Sequence, residues 1–317
     1  MEGLADDVLR EILTGVGGFD WCVSEFARVS STVLPARFFR RIAPELDHGA
    51  RTQAGVPVRV QLLGADPARM AGSAQRLAQL DPWGIDLNFG CPTPTVNRHR
   101  GGACLLDEPD LLFSIAAAVR QAVPVTMVLS AKMRLGVSDP SRAVEVAQAL
   151  VAAGVGELAV HARTRADMYR HPARWEWIGR IREAVAVPVV ANGDIRSVAD
   201  WQRCRAITGC DAAMLGRGAV ADPLLARRLK GSHPAAVTAD DWPLIAPLLA
   251  DFWVRVQEKL APRHAPGRIK HWLSLLAGAH PEAARLYAEL RPLSDVAAIG
   301  RLLDAALAPS ARRRAAA

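Results

Sequence analysis

The chain has 317 residues, half of them hydrophobic and 22% charged, which supports a large buried core and excludes a disordered, collagen-like or small disulfide-stapled protein. The length suits one barrel of about 250 residues with a smaller appended unit. Net charge is +7, from 39 Lys and Arg against 32 Asp and Glu; this leans toward a polyanionic partner, although all but four of the cations are arginine, an excess that genome composition can also produce.

The first element is a helix pattern from Asp6 to Leu13. The surrounding segment, MEGLADDVLREIL, is acidic where a secretory leader would be basic and then apolar. From residue 20 to about residue 230, short apolar runs alternate with amphipathic stretches. Strands are expected at Trp21–Ser24, Val58–Leu63, Gly84–Asn88, Val128–Arg134, Glu157–His161, Pro188–Asn192 and Ala212–Gly216. Helices are expected at Pro67–Leu80, Pro109–Ala122, Arg142–Ala153, Trp175–Ala186 and Val198–Thr208. This alternation implies a parallel sheet covered by helices, and its spacing suits an α/β TIM (β/α)8 barrel. Seven strands are legible, however, and a barrel closes with eight. An open parallel edge exposes unpaired backbone groups, so the first strand is expected to lie before Met1 and the barrel to be truncated there. The alternative is a different α/β fold.

Beyond Ala239 the strands stop. Helices are expected at Asp241–Leu260, Gly267–Ala277, Pro281–Leu290 and Ser294–Ala308. Ser294 and Asp295 suit a helix cap, and Pro281 suits a first turn. The expected organisation is therefore a barrel over residues 1–232 and an all-α helical bundle over residues 239–317, joined through Gly231-Ser232-His233-Pro234. The arginine tail at Arg312–Arg314 is expected to be unstructured. No run of 18 apolar residues exists, so no membrane span is expected.

Barrel active sites sit at the C-terminal ends of the strands. Polar groups fall there in series: Glu25 with Arg28, Gln61, Asn88, Lys132 with Arg134, His161 with Arg163, Asn192-Gly193-Asp194 and Gly216-Arg217-Gly218. The last two segments match a barrel phosphate site, where glycines let backbone N–H groups approach an anion; glycine also suits any tight strand-to-helix turn. Lys132 lies within an apolar strand, so its ammonium needs an anion or acceptor, from a ligand or from the barrel mouth itself. His161 can serve a ligand or be a satisfied structural histidine. Gln61 can offer a donor and an acceptor to a planar heterocycle, or simply end a strand.

Five cysteines are present, an odd number without a CxxC pair, so neither a disulfide framework nor a metal site is expected. Reduced thiols point to a cytoplasmic protein. Cys91 follows Gly90 and precedes Pro92, which places it on a strand-end loop. The basic, glycine-rich stretch Val96-Asn97-Arg98-His99-Arg100-Gly101-Gly102-Ala103 is expected to be flexible and to tune that thiol. Cys22, Cys104, Cys204 and Cys210 lie in apolar surroundings and are expected in the core.

The run DLNFGCPTPTVNRHRGGACLL (Asp86–Leu106) closely resembles the catalytic loop of the tRNA-dihydrouridine synthases. AKMRLG (Ala131–Gly136), VHARTR (Val160–Arg165), VVANGDI (Val189–Ile195) and MLGRGA (Met214–Ala219) resemble that family in the same order and approximate spacing. SEFARV (Ser24–Val29), LPARFFRRIAPEL (Leu34–Leu46) and RIKHWLSLL (Arg268–Leu276) are most similar to its bacterial C branch, associated with uridine 16 of the tRNA D-loop. The resemblance implies an FMN enzyme that uses NADPH to reduce uridine to 5,6-dihydrouridine in tRNA. It implies Cys91 as the general acid. It implies FMN contacts from Met1, Glu2, Gln61, Lys132, His161, Asn192, Gly193, Asp194, Gly216 and Arg217, and tRNA contacts from Arg28, Asn88, Arg134, Arg268 and Lys270. Ala162 departs from the family's usual glycine, and Phe89 occupies a variable position. A monomer without an obligate protein partner is expected.

The implied chemistry suits these residues. Hydride addition at C6 of the uracil ring leaves an enolate that needs a proton at C5, which an acid on the opposite face can supply. Lys132 beside the flavin N1–C2 carbonyl would stabilise the reduced ring. Arg268, Lys270 and His271 on one helix could grip an RNA backbone. Two other readings stay open: an FMN barrel acting on a small molecule of the dihydroorotate type, and a tRNA-binding protein that has lost catalysis.

Overall fold

The structure, a computed structural model, describes residues 3–98, 100–170 and 172–307. Met1 and Glu2, with their expected flavin contacts, and the arginine tail lie outside the described residues. Seven parallel strands form one sheet in chain order: β1 (Cys22–Arg28), β2 (Val58–Leu63), β3 (Gly84–Phe89), β4 (Val128–Arg134), β5 (Glu157–His161), β6 (Val189–Asn192) and β7 (Ala212–Met214). Among the described residues the sheet is open between β1 and β7. The short helix Ala36–Ile42 lies between β1 and β2, and helices Pro67–Ala78, Pro109–Ala122, Ala143–Ala152, Trp175–Ala184 and Val198–Thr208 return the chain from each later strand to the next. The starts are locally determined. Asp66 accepts the Arg69 N–H (2.8 Å) ahead of Pro67, and Ser197 accepts the Asp200 N–H (3.1 Å), each satisfying an orphan donor of the first turn. Gly209 ends the last of these helices at φ +66°.

The sheet curls as a TIM barrel does. Arg59 on β2 makes an ion pair with Glu157 on β5. In a flat sheet those strands would stand about 14 Å apart, three spacings of ~4.8 Å, so their contact requires the sheet to bend around it. The Arg59 guanidinium also lies 4.9 Å from the ring centroids of Trp21 and of Trp83, which with Glu157 form the barrel floor. On the outer side, Lys230 after β7 donates to Asp20 before β1 (2.6 Å), so the two edges approach one another.

Alternation decides which residues face inward. Val60, Leu62, Ile85, Leu87, Ala131, Met133, Leu158 and Val160 belong to one buried core shared with the outer helices. Their neighbours of opposite parity, from Arg59 and Gln61 to Asp86, Asn88, Ser130 and Lys132, point into the barrel. β1 extends four residues past the expected Ser24. A register irregularity between Val23 and Phe26 interrupts its two-residue period, and this bulge conceals the rest of the strand in the sequence.

A second core unites helices Trp242–Lys259, Ala265–Leu276, Pro281–Leu290 and Val296–Leu307 with the first helix, Asp7–Val16, and with Val220 and Leu224. Phe252 meets Trp272 edge-on at 4.8 Å, and Trp272 Nε1 donates to the Val220 carbonyl (3.0 Å). Among the described residues no helix is long and apolar enough to cross a membrane.

The expected linker is tied down by one arginine. Arg228, 2% exposed, donates to Asp222 (2.7 Å) and Asp241 (2.6 Å), and to the carbonyls of Pro234 and Ala236. Both carboxylates are themselves buried. Arg228→Ala is therefore expected to cost about 3–5 kcal/mol, because it removes the cation that two buried carboxylates share; a urea melt of the variant against the parent measures it, and a loss below about 1 kcal/mol would contradict the assignment.

Candidate active site at the barrel mouth

The register brings the expected residues together. Asn88 pairs with Lys132, Arg134 with His161, His161 with Asn192, and Asn192 with Met214 across neighbouring strands. Gln61, Asn88, Lys132, His161 and Asn192 thus occupy consecutive positions around one rim. Asp194 and Gly193 follow β6, and Gly216 with Arg217 follows β7. Gly193 has φ +117°, and a Cβ there would lie 3.0 Å from His161 Cδ2, so only glycine lets the chain pass the imidazole. The helix opened by Arg217 ends at Ala221.

A chain of hydrogen bonds rises from the barrel interior to Cys91. Asp86, 1% exposed, accepts from Ser130 Oγ (2.7 Å) and from Gln61 Nε2 (2.7 Å). Gln61 Oε1 accepts from Asn88 Nδ2 (2.7 Å). Asn88 Oδ1 accepts the N–H groups of Gly90 (3.0 Å) and Cys91 (2.9 Å). The Cys91 carbonyl accepts from Asn97 Nδ2 (2.9 Å) and from the Ala103 N–H (3.0 Å). Around Cys91 the described residues include the short helix Pro94–Arg98 and the helical turn Gly102–Asp107. Local backbone groups close back onto the cysteine, an arrangement that glycine-rich composition does not reveal. Cys91 is half-buried, its thiol 3.3 Å from Thr93 Oγ1. Cys204 and Cys210 are buried as expected, whereas Cys22 and Cys104 are half-buried.

The rim is strongly cationic. Burial and the charge of Arg134 pull the Lys132 ammonium down from 10.5 to about 7, with Asp86 opposing. His161, 7% exposed, is held far below the ordinary imidazole range by burial and by Lys132, Arg134, Arg163 and Arg217, and is therefore neutral. Burial raises the Asp86 carboxyl, opposed by its two donors and by Arg59 and Lys132. Burial also raises Asp194, but Arg163, the Ala173 N–H and Arg196 outweigh it and leave that carboxyl low. Tyr169 lies between two guanidiniums, 4.2 Å from Arg217 and 5.2 Å from Arg134. It borders a cleft of about 370 Å³ lined also by Arg163, Arg170 and Arg196.

Two arginines expected to touch RNA are engaged inside the protein. Arg134, 1% exposed, donates to the carbonyls of Gly90 (2.9 Å), Thr164 (2.8 Å) and Met168 (3.0 Å). Arg268 bonds the carbonyls of Gly3 and Leu4 and the Asp6 carboxylate (2.8 Å). Arg28 reaches the Thr95 carbonyl of the Cys91 loop (3.3 Å). Lys270 is half-buried on the helix Ala265–Leu276, beside exposed His271. Sequence reasoning assigned no role to Asp86, Ser130 or Tyr169. The signal for the first two was a polar residue at the inward parity of an apolar strand.

Polar side chains collected at one end of a parallel barrel, above an ion-paired floor, define a barrel of the enzymatic type with its chemistry at the strand C-termini. Comparison with known proteins narrows the class. The Dihydrouridine synthase (Dus) family model matches residues 1–279. A protein named tRNA-dihydrouridine(16) synthase from Cupriavidus necator is 51% identical over 304 residues, covering 96% of this chain and 94% of that protein. Its namesake from Pseudomonas putida shows the same identity and coverage. Among solved structures, a 6-hydroxypseudooxynicotine amine oxidase from Pseudomonas geniculata N1 superimposes with a TM-score of 0.54 at 13% identity, covering 77% of this chain and 47% of that one, a likeness of fold alone. This chain belongs to the dihydrouridine synthase family.

Arg134→Lys keeps the charge but loses the planar fork that serves three carbonyls. It is expected to lower stability by about 2 kcal/mol or more in the absence of RNA, read as a shift in the denaturant midpoint. An unshifted midpoint would return Arg134 to a surface role.

Proposed function

We propose that the chain reduces uridine to 5,6-dihydrouridine in tRNA, using FMN held in the barrel mouth and NADPH as reductant, with uridine 16 of the D-loop as its target. The observation that carries this reading is the half-exposed Cys91 thiol, on a loop locked by Asn88 beside Lys132, in a member of this family. The names of the relatives support tRNA as substrate and position 16 as target.

The residues present fit a flavin. Lys132 has no ion pair among the described residues, and burial makes its charge costly, so an acceptor or anion beside it is favourable. Neutral His161 can share a hydrogen bond with a ring, and Gly193 leaves the space a Cβ would fill. Lys132, Gln61, His161, Asn192, Gly193, Asp194, Gly216 and Arg217 would hold FMN, with Met1 and Glu2 added on the resemblance. Bound there, FMN supplies the hydride for C6 of the pyrimidine.

The protein's own groups do the rest. Cys91 Sγ–H delivers the proton to C5 as general acid. The second Nδ2 proton of Asn88 is left for a uracil carbonyl, which orients the base. Residues 1–232 form the catalytic unit and 239–317 an RNA-gripping unit, with Arg28, Lys270 and His271 near the backbone. Arg134 and Arg268 act from beneath by holding the loops on which the RNA rests. Extruding the target base costs a few kcal/mol, less from a loop than from a duplex. The protein works as a cytoplasmic monomer.

Cys91→Ala is expected to retain yellow, NADPH-bleachable flavin while dihydrouridine formation on D-loop tRNA falls by about 10²–10⁴-fold; undiminished turnover refutes the acid assignment. A colourless protein that still binds tRNA would refute flavin catalysis itself.

The depressed Lys132 also gives a sign for pH. Without ligand, Lys132 is neutral above about pH 7, whereas the unfolded chain holds its proton to 10.5. Its contribution to stability therefore rises with pH across that window. A ligand that favours the ammonium makes binding take up a proton there, so FMN affinity is expected to fall from pH 7 to pH 9.5, by up to about tenfold per unit. Lys132→Met is expected to bind FMN more weakly and to flatten the profile. Fluorescence titration of apoprotein with FMN measures both, and a flat wild-type profile overturns the assignment.

A further inference from the structure

We propose that Asp86 is the positioning residue of this site: its sealed carboxylate sets the orientation of the Gln61 and Asn88 amides, and through them the pose of the Cys91 loop. This rests on the proposed function for its catalytic consequence, though not for its structural one.

The argument follows donors and acceptors in turn. A carboxylate has only acceptor sites, whereas an amide offers a donor at one end and an acceptor at the other, and can be turned by 180°. Ser130 Oγ and Gln61 Nε2 already point one donor at each Asp86 oxygen, so each oxygen serves as an acceptor. Gln61 must therefore turn its nitrogen down, and its Oε1 faces Asn88. Asn88 must then present Nδ2 to Gln61, which leaves Oδ1 for the N–H groups of Gly90 and Cys91. Turning either amide would set donor against donor at one contact and acceptor against acceptor at another, in a place from which water is largely excluded.

The same ordering fixes what remains for a bound molecule. One Nε2 proton and one Oε1 lone pair of Gln61, and one Nδ2 proton of Asn88, are uncommitted. Asp86 thereby determines which polar atoms of the rim meet a flavin edge and a base, although it touches neither. It lies two residues along β3 from Asn88, on the same parity, and pairs in register with Gln61 on β2 and Ser130 on β4. The pleat stacks the relay in this order. Ser24 Oγ accepts the Gln61 backbone N–H (3.1 Å) and holds that strand end in place.

The test exchanges the two groups. Asp86→Leu removes the acceptor, while Asp86→Asn with Gln61→Glu moves the carboxylate one step up the relay. In that double variant Ser130 still has an oxygen to donate to, Asn at position 86 donates to Glu at position 61, and Asn88 still donates down to position 61 from the same nitrogen. Alkylation of Cys91 by iodoacetamide, read on its peptide by mass spectrometry in FMN-free protein, reports the loop without catalysis. Asp86→Leu is expected to speed alkylation at least fivefold, and to lower kcat for dihydrouridine formation at least tenfold with KM for tRNA within twofold. The exchange variant is expected to restore alkylation to within twofold of the parent. An unchanged or slower rate in Asp86→Leu overturns the proposal, as does an exchange variant no closer to the parent. Should Asp86→Leu not fold, Gln61→Glu serves as the disrupted reference, since it sets two carboxylates face to face, and the same comparison decides. Loss of turnover in Cys91→Ala tests the acid separately, so the two ideas fail by different measurements.

Discussion

The two-residue pleat of a parallel strand imposes the organisation on which everything else depends. One parity must be apolar, because helices cover the outside of the sheet. The other faces an enclosed interior, where an isolated polar group is costly. The chain meets this with mutual satisfaction rather than with uniformly apolar layers. Arg59 and Glu157 neutralise each other at the floor. Ser130, Asp86 and Gln61 bond in the middle, and Asn88 carries the pattern to the rim. Such a column rigidifies a site when fully satisfied, because no member can move without leaving another unpaired.

Above that column the balance changes sign. Lys132, Arg134, Arg163 and Arg217 all lower the His161 imidazole, which is also desolvated. The cations are not equivalent. Arg163 has Asp194, Arg134 is surrounded by carbonyls, and Arg217 rests on the face of Tyr169. Lys132 is the one whose charge burial erodes to about 7. Carbonyls and a ring face stabilise a cation without cancelling its field, so the mouth remains a positive well fit for an anionic or electron-accepting ligand.

The sequence made the strands and outer helices legible because apolar runs alternate regularly with amphipathic stretches along the chain. β2, β4 and β5 and the helices Pro109–Ala122 and Val198–Thr208 begin and end where the pattern does. What it concealed has physical causes. The bulge in β1 breaks the period that identifies a strand. The short helical turns around Cys91 depend on closure onto one carbonyl, and hence on contacts that exist only after folding. The rim residues were recognisable by type and place, but their partners were not. Arg134, placed at a strand end, and Arg268, placed on a helix, were assigned tRNA contacts by resemblance; only the fold reveals that backbone carbonyls converge on each. Asp86 was visible within a motif, yet its function lies in the direction of its hydrogen bonds, which composition does not encode.

The first helix links the barrel to the bundle. The first helix, Asp7–Val16, contributes Val8, Leu9 and Ile12 to the core of the bundle. Arg268 and Lys259, both on bundle helices, reach back to residues 3–7 of the segment that leads into it. Arg10 within that helix is buried against Glu45 at 2.9 Å, and so anchors the same helix to the connection after β1. One helix is thus gripped from both sides. The helix Ala265–Leu276 thus carries the arginine that holds the chain's approach to the barrel.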